Sequence, residues 1–232
     1  MEEIDFVVEK TNLYEQIVDA LEGVIIQSNV EEKLPSEQEL SRRFGVSKAV
    51  IREAMKVLKD RGLIQSRNGD GSYISRPGSG SVANAVNRII KMDNISSADL
   101  HGTRLILETA AVRLAALYAR PEDLDHLDRT IEKQSGLSPY EEWIRYDRDF
   151  HIALARAGGN ALVAMFVEVM MNLLKEYMFK GYYNPDDTIR QHREIVAALR
   201  GKDEALAEKA MLDHLFAARQ NVFAYEEKIK KG

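Results

Sequence analysis

Residues 33–76, KLPSEQELSRRFGVSKAVIREAMKVLKDRGLIQSRNGDGSYISR, hold two helix signatures and one hairpin signature, which leaves little freedom in how this stretch folds. Ser36 followed by Glu39 is a capping-box pattern, in which each side chain reaches a backbone N–H left free at a helix start. Leu40 and Phe44 supply the inward side of that helix. Gly45 ends it, because the residue past a last turn commonly needs the left-handed conformation that glycine tolerates. Ser47 caps the next helix, where Ile51, Ala54, Met55 and Leu58 recur at the spacing of one buried face. Lys48, Arg52, Lys56 and Lys59 form a separate stripe. The segments LIQSR and SYISR then flank Asn68-Gly69-Asp70-Gly71, whose Asn-Gly and Asp-Gly pairs suit the positive φ of a tight hairpin.

Two short helices, a tight turn and a terminal hairpin are the pattern of a winged helix-turn-helix. A basic stripe on a helix is ordinarily a solvated face. Here its setting points elsewhere. Residues 33–76 carry ten Lys and Arg against five Asp and Glu, whereas residues 1–32 carry one Lys and nine acids, in a chain of formal charge −5. The basic charge is concentrated on one segment, as expected of a surface that meets double-stranded DNA and not of a general affinity for polyanions.

The run LPSEQEL, then FGVSKAVIREAMKVLKDRGLI, then a Gly-containing wing resembles the N-terminal domain of GntR-family transcription regulators over roughly residues 11–76. The resemblance implies that Gln38, Ser47, Lys48, Ala49 and Arg52, together with Arg67, Gly69 and Gly71 of the wing, lie at DNA-contacting positions. Lys48 and Ala49 depart from the Arg and the Thr or Pro common there, so a bidentate Arg–guanine contact is not carried over. Arg52, in the first turn and a half of the recognition helix, is the expected base-edge or phosphate contact. Its structural alternative is an ion pair with a neighbouring acid such as Glu53.

Arg76-Pro77-Gly78-Ser79-Gly80-Ser81 lacks a packing stripe and reads as a linker. The expected organisation is a winged helix-turn-helix domain over 1–76, a linker over 77–83 and an all-helical domain over 84–232. Leu13, Ile17, Ala20, Leu21 and Val24 mark a first helix that closes the small domain's core. After the linker, helices are expected near 82–92, 97–119, 121–135, 139–157, 160–180, 186–200 and 203–225, a mainly α fold with a C-terminal bundle of about seven helices. A chain of 232 residues with 45% hydrophobic content suffices for one or two cores. No run of about eighteen apolar residues exists to span a membrane. The start MEEIDFVVEK has neither a basic nor an apolar leader region, and a chain without cysteine has no disulfide, thiol or Cys-zinc chemistry. A cytoplasmic protein is the simplest expectation.

Three of the five histidines fall on inward stripes. His192 aligns with Ile189, Ile195, Val196 and Leu199, and His214 with Ala210, Met211, Ala217 and Ala218. His151 shares a stripe with Ile144, Asp147 and Leu154, and the i, i+4 spacing brings the Asp147 carboxylate beside its ring. His101 and His126 lack such settings, and His126 is expected at the surface. An inward histidine is most often a hydrogen-bonded core residue. Three imidazoles and a carboxylate buried separately each incur a desolvation cost, whereas one divalent cation satisfies all four. Spacing permits both arrangements.

RLILETAAVRLAA, DRDFHIALARAGGN, HREIVAAL and AEKAMLDHL resemble the ligand-binding FCD domain of FadR-like GntR regulators over roughly residues 84–224. Metal-binding members use an Asp and three His, and Asp147, His151, His192 and His214 stand at the matching positions. Such ligands suit zinc first, with nickel, manganese or iron(II) also accommodated. Arg104 interrupts the stripe Leu100, Leu107, Ala111, Leu114 and Tyr118. Either it pairs structurally with Glu108, or, as the resemblance implies, it faces the effector cavity and clamps a carboxylate. Asn160, after Gly158-Gly159, is explained as a helix cap. The expectation is a homodimeric, non-enzymatic transcription regulator that binds operator DNA, a divalent metal and a small organic acid. A metal sensor without organic effector, or a metal-dependent enzyme with an appended DNA-binding domain, are the other readings.

Overall fold

In the computed structural model, which describes residues 13–136, 140–178 and 185–231, helices dominate and a two-stranded antiparallel sheet is the one sheet among the described residues. The chain divides into two compact units, Met1–Ser81 and Val82–Gly232, each with its own apolar cluster.

The first unit contains α1 (Leu13–Gln27), α2 (Glu37–Phe44), α3 (Lys48–Asp60), β1 (Ile64–Arg67) and β2 (Gly71–Ile74). Ser36 Oγ accepts from Glu39 N at 3.2 Å, and Gly45 closes α2 with φ +66°. The reciprocal half of the expected capping box is replaced: Arg42 and Arg43 take the Glu39 carboxylate at 2.6 and 2.8 Å. Ser47 caps α3, and Ile51, Ala54, Met55 and Leu58 are its buried face, as the periodicity requires. Two other inward assignments are corrected. Phe44, the last residue of α2, is 37% exposed, and Leu40 is that helix's one buried residue. In α1 the buried stripe is Ile17, Val18, Leu21 and Ile25, whereas Leu13, Ala20 and Val24 face outward.

The hairpin pairs Ile64 with Ile74 through Arg67 with Gly71, and Gly69 in its turn has φ +75°. Residues 31–34 run along the outer edge of β2, with Leu34 N donating to Ser72 O and Ile74 N to Glu32 O, both at 2.8 Å. Lys33 and Tyr73 both reach Asp70, at 2.6 and 2.5 Å, which ties the wing to the segment before α2.

The second cluster is built by α4 (Ser79–Asp93), α5 (Ser97–Tyr118), α6 (Pro121–Gln134), α7 (Tyr140–Ala157), α8 (Ala161–Met178), α9 (Pro185–Arg200) and α10 (Glu204–Lys231). The coil before α4 is shorter than expected, since Ser79, Gly80 and Ser81 already form its first turn. A capping box between Ser96 and Asp99 starts α5, and Asn160 Oδ1 caps α8 by accepting from Leu162 N and Val163 N at 3.1 and 3.2 Å. Helix α5 packs on α7, α8 and α10, while α6 packs on α7 and α9. The α7–α8 joint lies close on α5: a Cβ added at Gly158 would stand 2.9 Å from Leu114 Cβ and 3.2 Å from Ala111 O. No described helix is long and apolar enough to cross a membrane.

Candidate functional site

The interior of the helical unit is polar where α5, α7, α9 and α10 converge. Arg104 and Glu108 of α5, Asp147 and His151 of α7, His192 of α9 and His214 of α10 are all buried, and Gln134 joins them from the end of α6. One ring nitrogen from each of His151, His192 and His214 lies within 4.8 Å of the other two. Asp147 Oδ1 lies 3.6 Å from His192 Nε2, and Oδ2 lies 3.9 Å from His151 Nε2. The structure therefore gathers His151, His192 and His214 around one centre, with Asp147 beside two of them.

The partners on the far side of each ring fix where the ring protons sit. His151 Nδ1 is paired with Glu108 Oε2, and His151 Nε2 lies 3.0 Å from Arg104 Nη2. A guanidinium only donates, so Nε2 is the accepting nitrogen and Nδ1 carries the proton. His214 Nδ1 meets Gln191 Oε1 at 3.0 Å and His192 Nδ1 meets Gln134 Oε1 at 3.2 Å, so both rings donate outward from Nδ1. The Nε2 atoms of His192 and His214 then turn lone pairs toward the centre, while that of His151 accepts from Arg104. His151 Nε2 and His214 Nε2 stand 3.2 Å apart, and His192 Nε2 is buried with no hydrogen-bond partner. Phe150 stacks on the His192 ring, with centroids 3.9 Å apart and 14° between planes, which holds the ring's tilt.

The electrostatics follow from burial. Desolvation, with His214, His151 and Arg104 adding repulsion, holds His192 well below the usual imidazole range. His214 is lowered likewise, by burial and then by His151 and Arg104. Both rings are neutral at neutral pH, as ligands must be. Burial raises the Asp147 carboxyl, against the pull of His151 and Arg104. Burial also works to raise Glu108, but the Arg104 charge and the hydrogen bonds from His151 and Arg104 outweigh it and hold that carboxyl below the ordinary carboxylate range.

Arg104 Nε donates to Glu108 Oε1 at 2.5 Å, so the structural pairing expected of this residue is present. The same guanidinium also reaches His151 Nε2, which places it at the rim of the histidine centre. Glu108 emerges as a bridge between Arg104 and His151, a role beyond the pairing weighed from sequence. Gln134 and Gln191 were missed altogether. Gln134 had a signal: it continues the stripe Leu124, Leu127, Ile131 as an amide where an apolar residue belongs. His126 is exposed as expected, whereas His101 is buried on α5, contrary to the sequence reading.

In the first unit Gln38, Ser47, Lys48, Ala49 and Arg52 are all exposed, around the turn between α2 and α3. Lys48 Nζ donates to Gln38 Oε1 at 3.4 Å, which joins the two helix starts. Arg52 meets Glu37 at 3.5 Å across the turn, not Glu53. On the wing, Gly69 and Gly71 are exposed, and Arg67 pairs with Glu31 and lies 4.0 Å above the Tyr73 ring. The Arg52 and Arg67 pairs are solvent-exposed, a class of pair typically worth about 1 kcal/mol or less.

Residues 13–74 match the family described as bacterial regulatory proteins, gntR family, and residues 99–217 match the FCD domain. The chain is 32% identical over 210 residues to the HTH-type transcriptional repressor NanR of Enterobacter sp. (strain 638), spanning 86% of this chain and 80% of that protein. NanR of Escherichia coli K12 is 30% identical over 237 residues, spanning 96% and 89%. Among solved structures, Streptococcus agalactiae GntR superposes with a TM-score of 0.71 at 28% identity, covering 89% of this chain and 99% of that one.

Proposed function

This chain belongs to the gntR family of bacterial regulatory proteins and carries an FCD domain, and from that premise we propose that its helical unit joins a divalent metal and a small carboxylate to the control of DNA binding. The protein is a DNA-binding transcription regulator. In our reading, residues 1–76 recognise operator DNA as part of a homodimer, through Gln38, Ser47, Lys48, Ala49 and Arg52 at the recognition helix and Arg67, Gly69 and Gly71 on the wing. Residues 84–232 sense the ligand, after a short linker. Repression is the direction for which its NanR relatives are named, and we take it as the direction here.

The observation that carries the metal reading is the convergence of ring nitrogens from three buried histidines, with His151 Nε2 and His214 Nε2 3.2 Å apart beside the orphaned His192 Nε2. A buried acceptor without a donor costs about 1–3 kcal/mol. A cation bound there would remove that cost and join the three rings. Asp147, His151, His192 and His214 would hold it, with zinc the first choice and nickel, manganese or iron(II) compatible with the same donors. The bound ion would supply positive charge and open positions for an effector oxygen. Arg104, 3.0 Å from His151 Nε2, would hold a carboxylate next to those positions. The DNA-binding unit carried on the same chain favours regulation over turnover.

The test is metal analysis of the purified protein, followed by thermal unfolding with Zn²⁺, Ni²⁺, Mn²⁺ or chelator, each with and without a panel of small carboxylates. The expected result is stoichiometric metal, a chelator-sensitive midpoint, and a carboxylate shift that needs the metal. A protein that neither retains nor responds to any of these ions would sink the metal reading. A metal response with no carboxylate response would select the pure metal sensor.

A further inference from the structure

We propose that Gln134 is a positioning residue for the centre, whose one amide sets both the proton position of His192 and the orientation of Asp147; this rests on the metal reading above. Gln134 is the last residue of α6 and is fully buried on the same side as Leu127 and Ile131. A buried amide is costly unless both its ends are bonded. Here they are. Oε1 lies 3.2 Å from His192 Nδ1, on α9, and Nε2 donates to Asp147 Oδ1 at 3.4 Å, on α7.

The polarity of the amide permits one arrangement. The ionised Asp147 carboxylate that a metal ligand must be only accepts, so the NH₂ end must face Asp147, and the carbonyl end must then face His192. A carbonyl oxygen only accepts, so His192 must place its proton on Nδ1, which leaves Nε2 as the lone pair turned to the centre. That is the atom the structure leaves buried and without a partner. The in-plane rotation of the ring is thus set by Gln134, while Phe150 sets its tilt from the flat side. Gln191 acts on His214 alone, whereas Gln134 couples two centre residues from different helices, so its loss is felt twice. Partners of this kind typically govern metal affinity by about 10- to 100-fold.

The experiment is a Co²⁺ titration of the full chain, read by visible absorption, comparing wild type with Gln134→Met, which keeps the length and removes both polar ends. The expected result is a dissociation constant weakened by about 10- to 100-fold with shifted d–d bands, since His192 and Asp147 lose their fixed orientation. Equal affinity and identical bands in the two proteins would overturn the role. Should Gln134→Met not fold, long-range ¹H–¹⁵N correlation on the His192 ring of the metal-free wild type decides the matter: a proton on Nδ1 supports the role, and a proton on Nε2 overturns it. A wild type that takes up no Co²⁺ removes the metal reading and the positioning role together. A binding wild type with an indifferent variant removes the role alone.

Discussion

The His151 ring is caught between a carboxylate and a guanidinium, and its neighbours make it the most consequential side chain of the helical unit. Removing one member of such a set is worse than removing all of it, because the remaining charge stays buried and uncompensated. Arg104→Ala leaves Glu108 without its main counter-charge and should destabilise the protein by about 3–5 kcal/mol, measured by urea unfolding. A loss under about 1 kcal/mol would show that water reaches Glu108. The two lowered histidines predict a pH dependence. In the unfolded chain His192 and His214 take up protons near 6.5, whereas in the fold they do so only well below that value. Their contribution is therefore complete above pH 6.5 and is lost as pH falls below it. Asp147, raised by burial, works the other way, binding a proton in the fold before it would unfolded. Each ring that stays neutral in the fold while its unfolded counterpart is protonated contributes up to about 1.4 kcal/mol per pH unit of acidification below 6.5, and Asp147 opposes it. Metal-free protein should thus unfold at lower urea concentration at pH 5.5 than at pH 7.5, and saturating Zn²⁺ should widen the difference, because the ligands bind metal only when deprotonated. A metal-free protein equally stable at both pH values would contradict the neutral-ring assignment.

Each helix contributes according to which of its faces the sequence marks without ambiguity. In α3 the apolar and basic stripes are separate, and its buried face was legible residue by residue. In α1 the run LYEQIVDALEGVIIQ offers apolar residues on several sides, so two overlapping stripes share Ile17 and Leu21. Packing selected Val18 and Ile25 and left Val24 58% exposed, a choice made by neighbours that no local pattern encodes. The same holds for the glutamines: a local stripe places Gln134 inward, but only the assembled bundle sets its two ends against Asp147 and His192. The histidines were legible because an imidazole on an apolar stripe is conspicuous, whereas the outward Nδ1 partners come from elements distant in sequence. The recognition helix gives a prediction at this scale. Arg52→Ala should weaken operator binding by about 1–3 kcal/mol and reduce the salt slope by about one, with metal content unchanged, in titrations at several salt concentrations. Equal loss of metal from Arg52→Ala and His192→Ala would contradict the separation of the two sites. The α5–α7 contact gives another. Gly158→Ala drives a Cβ against Leu114 Cβ and the α5 backbone, and should cost about 1–3 kcal/mol in thermal or urea unfolding. Since α5 carries Arg104 and Glu108 while α7 carries Asp147 and His151, metal affinity should fall with it.

For the whole molecule, regulation is a coupling between two ligands that need not touch. An effector changes operator affinity only by as much as it distinguishes the states that bind operator differently, and the operator must change effector affinity by the same factor. Measured coupling of zero for every carboxylate that binds would leave the helical unit a structural domain. The division of the chain into two compact units also means that each can lose or gain stability on its own account. The four centre residues belong to α7, α9 and α10, and His151 and His214 are 63 residues apart in the chain. An ion held by both closes a loop of that length in a protein that has no cysteine with which to form a covalent cross-link. Its binding energy is then part of the folding energy of the helical unit, worth about 2.7 kcal/mol when free metal exceeds the dissociation constant a hundredfold. Chelation should accordingly shorten the survival of the helical unit under protease while leaving the winged unit's fragment unaffected, so that metal supply would govern how long the regulator lasts as well as what it senses.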